Sequence, residues 1–93
     1  MSRAETLLQS LKENVRRIEA TEEKINSIKN KKRLTNEDKG LLDILSRSEF
    51  SLCMDNSSIY RNLQEEIRNA DDFTRKRIEH EANKLRKVEI VEV

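Results

Sequence analysis

Two side chains have the chemistry of a nucleophile and of a general base, and the chain holds one of each: Cys53 and His80. A thiolate activated by an imidazole would be a minimal catalytic pair. A zinc centre needs three or four N, S or O ligands, so one Cys and one His do not complete it without carboxylates or a second chain. The surroundings of both residues favour plainer roles. Cys53 follows Leu52 in the least polar part of the chain, where an apolar environment raises a thiol pKa and makes it inert. His80 lies within "RKRIEHEANK", a charged stretch expected to face water. Carboxylates are numerous but interleaved with lysines and arginines, as on a solvated helix face. The single glycine cannot build a phosphate-cradling loop, and no GxxxxGK[ST], HExxH or GxSxG motif is present. With aromatics at 3%, a ligand-sized apolar pocket is not expected either. The expectation is a chain that is not an enzyme, with no metal, no cofactor and no small-molecule substrate.

Two basic clusters invite a different chemistry. Lys29, Lys31, Lys32 and Arg33 form one; Arg75, Lys76 and Arg77 form the other, with Lys84, Arg86 and Lys87 further on. Such groups contact nucleic-acid phosphates, and that binding is non-specific and salt-sensitive. Nineteen basic against 18 acidic residues leave a net charge of +1, far from the strongly basic balance of a dedicated nucleic-acid binder. No aromatic platform accompanies the clusters for stacking on single strands. The first cluster also has a local explanation. "KNKKR" suits the end of a helix, where cations meet the negative pole of the dipole. "TNED" suits the start of the next, as a capping-box variant with Asp38 where Glu or Gln is commoner.

The elements that would carry these residues follow from apolar spacing. Ala4, Leu8, Leu11, Val15, Ile18, Glu22 and Ile25 alternate steps of four and three, a heptad seam flanked by Leu7 and Ile28. Glu22 interrupts the seam. The spacing predicts a helix over about residues 3–33 and a corner at 33–36. A helical arm over 36–87 follows, with an apolar face of Leu41, Leu42, Ile44, Leu45, Leu52 and Cys53, continued by Leu63 and Ile67. "MDNSS" at 54–58 has the composition of a turn, and a break is favoured at 55–58. "NADD" at 69–72 interrupts the stripe as a kink or a cap. Against a break there, Asp71–Arg75 and Asp72–Lys76 form helix-supporting pairs four residues apart. "VEIVEV" at 88–93 has four β-branched residues in six, which reads as a short strand, a partner-ordered terminus or a frayed helix end.

The fold class is therefore all-α: an antiparallel helical hairpin or small helical bundle with coiled-coil-like packing, in one domain. The apolar supply is thin for a chain of 93 residues, 40% of them charged. An interaction or scaffold role is expected, with a homo-oligomer or a helical partner protein. The expected partner interface is Leu8, Leu11, Val15, Ile18, Ile25, Leu41, Leu45, Leu52, Leu63 and Ile67. The alternative is a small nucleic-acid-associated protein that uses residues 29–33 and 75–87. No apolar run approaches the ~18 residues of a membrane span, and no apolar h-region opens the chain. Asn56-Ser57-Ser58 matches a glycosylation sequon, but an intracellular, reducing compartment is expected, where it would be idle.

Overall fold

A computed structural model describes residues 2–85. Three helices follow one another: α1 (Arg3–Lys29), α2 (Asn36–Glu66) and α3 (Asp72–Lys84). The expected strand or frayed end at 88–93 lies outside the described residues.

α1 starts where Ser2 accepts a hydrogen bond from the Glu5 amide (3.2 Å), an N-cap that satisfies one of the orphan donors of the first turn. It ends at Lys29 with Asn30 as C-cap, about one turn before the expected 33. Past that end the Lys31 amide donates to the Ile28 carbonyl (3.1 Å) and its side chain reaches across the corner to Asp38 (Nζ–Oδ1 2.9 Å). α2 then begins with a closed capping box. The Thr35 amide donates to Asp38 Oδ2 (3.0 Å) and the Asp38 amide donates to Thr35 Oγ1 (3.1 Å). The stretch "KNKKRLTNED" is therefore a helix–helix corner with its own electrostatics.

α2 runs without interruption through 55–58, where turn-type residues favour a break. The reason is burial: Asn56 is 1% exposed and its amide is used in tertiary hydrogen bonds, so it does not compete for the local backbone. The chain does break between Glu66 and Asp72, with Ile67 as C-cap and Asp71 at the next N-cap. Asp72 pairs with Arg75 inside α3 (2.6 Å) and not with Lys76.

α1 and α2 lie antiparallel and bury one seam: Leu8, Leu11, Val15, Ile18, Ile25 and Ile28 against Cys53, Leu63 and Ile67. α3 folds back along α1 and adds Ile78 and Ala82 to the cluster around Leu8, Leu11, Leu63 and Ile67. Surface ties fix that end: Arg77 bonds Glu5 (2.6 Å), Arg3 pairs with Glu66 (3.3 Å), and the Tyr60 hydroxyl donates to Asn83 Oδ1. The Arg77 guanidinium holds its proton more tightly than usual because Glu5, and less so Glu81, face it.

One polar group crosses the seam. Asn14 Nδ2 donates to the Leu52 carbonyl (2.8 Å) and, more loosely, to Asn56 Oδ1 (3.4 Å). Asn56 Nδ2 reaches on to the Leu85 carbonyl at the end of α3 (3.4 Å). From Asn14 to Lys29 only α1 and α2 are present among the described residues, about 22 Å of two-helix hairpin at 1.5 Å per residue. The whole measures 55 × 28 × 16 Å, with a radius of gyration of 16.5 Å against about 12 Å for a compact domain of this length.

This arrangement sets the sign of three substitutions. Leu63→Ala, in the three-helix core, is expected to cost about 2–5 kcal/mol in urea unfolding. Gly40→Ala is expected to stabilise by up to about 1 kcal/mol, because Gly40 is inside α2 with nothing within 4 Å of an added Cβ. Asn14→Ala should cost about 1–3 kcal/mol, by removing the buried amide that donates to the Leu52 carbonyl and, more loosely, to Asn56 Oδ1.

Candidate interaction surface

The structure places the chemically suggestive residues apart. Cys53 is buried on the hairpin side of α2, and His80 is exposed on α3. No group of three or more His, Cys, Asp or Glu side chains converges among the described residues. None of their helices is long and apolar enough to cross a membrane.

The two basic clusters also separate. Lys29, Lys31, Lys32 and Arg33 are exposed at the corner, and Lys31 is committed to Asp38. Arg75 pairs with Asp72, and Arg77 with Glu5 and Glu81. Because Arg77 binds beside residue 5 and the corner follows residue 29, the clusters stand about 36 Å apart along α1. They do not merge into one phosphate-binding face. Of the second cluster, Lys76 and Lys84 make no ion pair with the described residues.

The apolar residues expected at a partner interface fall into two groups. Leu8, Leu11, Val15, Ile18, Ile25, Leu63 and Ile67 are buried inside the hairpin itself. Leu45 and Leu52 are half-buried, and Leu41 is 45% exposed. The uncovered apolar surface therefore lies on α2. Ile44 is 63% exposed, and Phe50 and Met54, four apart and so on one face, are also open. Phe73 is exposed too, at the far end on α3.

Leu41 and Leu45 form one wall of a groove between α1 and α2 at the two-helix end. Ala20, Glu23, Lys24, Ser27 and Ile28 form the rest. Ala20 and Ser27 are seven residues apart and small, so the α1 wall is low and a packed helix can come close. The groove is open, mainly apolar and flanked by opposite charges at Glu23 and Lys24. Apart from these two its lining is small or apolar.

Sequence reasoning found Leu41, Leu45 and Ile28 but not the rest of the α1 wall, because Ala20 and Ser27 are not apolar-stripe residues. It also passed over Asn14. The signal was there: Leu7, Leu11, Asn14, Ile18, Thr21, Ile25 and Ile28 alternate steps of four and three, a second seam beside the one chosen.

No protein-family model, curated protein or solved structure matches the chain. What the fold and surface define is a class: a helical hairpin, braced by a third helix at one end and apolar in its groove at the other.

The corner supplies a pH-dependent prediction. The Asp38 carboxyl is held below the ordinary aspartate value of 3.8, first by the Thr35 backbone amide and then by Lys31. A depressed folded-state pKa stabilises fully above the unfolded value and loses that effect as pH falls through the folded one. Asp38→Ala should therefore lower the melting temperature at neutral pH, followed by circular dichroism. The gap to the parent chain should narrow as the solution is acidified below the ordinary aspartate range.

Proposed function

We propose that this chain is a non-enzymatic interaction or scaffold protein, which assembles by packing the two-helix end of its hairpin against another amphipathic helix. The observation that carries this reading is the apolar surface left open there: the groove lined by Leu41, Leu45 and Ile28, with Ile44 beside it at 63% exposure. Open apolar surface of this kind, rimmed by charge, marks association sites in soluble proteins. At the opposite end α3 packs on the same hairpin, which supports a helix as the shape of the partner. The seam residues Leu8, Leu11, Val15, Ile18 and Ile25 hold the hairpin shut, and the α2 face carries the docking.

Phosphate-backbone contact by Lys29, Lys32 and Arg33 is the second reading, supported by their exposure at the corner. It draws on only one cluster, because the other is distant and largely ion-paired.

The two readings separate in a native extract. The protein should migrate on a native sizing column well above the size of a single chain. Leu41→Gln combined with Ile44→Gln should bring it down to that size while its helical content is kept. Replacing Lys29, Lys32 and Arg33 by alanine should leave the large species unchanged. A parent chain that runs as a monomer in extract would sink the docking reading. Loss of the large species on nuclease treatment would favour the phosphate reading.

A further inference from the structure

Resting on the docking reading above, we infer that the occupant of the groove is a second copy of this chain, packed tip to tip about a two-fold axis into a four-helix bundle.

Charge is the first argument. Over the free half of the hairpin, α1 and the corner (residues 12–33) carry eight basic and four acidic side chains. The facing part of α2 (residues 36–55) carries five acidic and two basic ones. The positive excess lies mainly at the corner, since α1 itself carries five basic and four acidic side chains over residues 12–29, while α2 is net negative. A two-fold axis that lays α2 of one copy beside α1 of the other sets opposite charges together twice over. A partner of one sign would gain from one helix and lose at the other.

Shape is the second. The α2 ridge of Leu41 and Ile44 stands proud of the surface, and the low α1 wall at Ala20 and Ser27 leaves a trough beside it. In an isologous contact one patch must supply both the projecting and the receiving part, and this patch holds both. Four helices then enclose Ile28, Leu41, Ile44 and Leu45 from each chain, the arrangement in which amphipathic helices of this kind commonly close.

Area is the third. The chain exposes 7126 Å², against about 5600 Å² for a compact monomer of 11.0 kDa. A standard interface covers about 800 Å² on each partner, so one two-fold contact fits within that excess.

The test is sedimentation equilibrium of the purified 93-residue chain at micromolar to submillimolar concentration. The expected mass is twice 11.0 kDa. Leu41→Asp with Ile44→Asp, both on exposed positions, should give a monomer of unchanged helical content by circular dichroism. Raising the salt to molar levels should weaken the parent dimer about tenfold, because the helix–helix charge match is screened. A purified monomer overturns the inference. If that monomer still runs large in extract, the docking reading survives with a different occupant; a monomer in both overturns the two together. A dimer indifferent to Leu41→Asp and Ile44→Asp puts the contact elsewhere and also overturns the inference.

Discussion

The molecule is organised around two buried amides. Asn14 on α1 and Asn56 on α2 are 6% and 1% exposed, inside a seam that is otherwise aliphatic. A buried amide without partners costs more than its hydrogen bonds gain, so the sites tolerate only arrangements that satisfy both side chains. In the structure no buried side-chain N or O lacks a partner among the described residues. Sliding α2 along α1 by one turn would keep leucine against isoleucine but would separate Asn14 from the Leu52 carbonyl. Apolar packing therefore supplies the attraction, and the amides supply the register. The same relay reaches the Leu85 carbonyl, so it also fixes how far α3 extends along the hairpin.

That junction divides the chain into unequal halves. On one side three helices surround Leu11, Leu63 and Ile78, all essentially inaccessible to water. The ion pairs there, Arg77–Glu5 and Arg3–Glu66, are solvent-exposed and contribute orientation more than stability. On the other side two helices have no third neighbour among the described residues, and a pair of helices cannot enclose both faces of its own seam. The apolar groove between α1 and α2 lies in this half, where α3 is absent among the described residues.

Much of this was legible in the residues. The heptad spacing of Leu8, Leu11, Val15, Ile18 and Ile25 marks α1, and "TNED" marks the start of α2 through its capping chemistry. What misled was local propensity where tertiary contacts prevail. "MDNSS" has turn composition, yet Asn56 is drawn inward by Asn14 and the helix continues through it. At 69–72 the charge spacing supports a continuous helix. The break occurs because α3 must turn back to bury Ile78 and Ala82 on Leu8 and Leu63, a long-range demand that no pair four residues apart can signal. The groove was half legible: its leucines stand out in the sequence, while its α1 wall is made of residues notable only for being small.

Asn56 carries one further consequence. Together with Ser57 and Ser58 it forms an acceptor sequence for N-linked glycan. A sugar on that nitrogen would take one of its two hydrogens and would have to pass between α1, α2 and α3, where Asn56 is 1% exposed. The folded chain and the glycosylated chain are mutually exclusive states. A copy routed through an oligosaccharide-transferring compartment would either fold before the transferase reached it or be locked open by the modification.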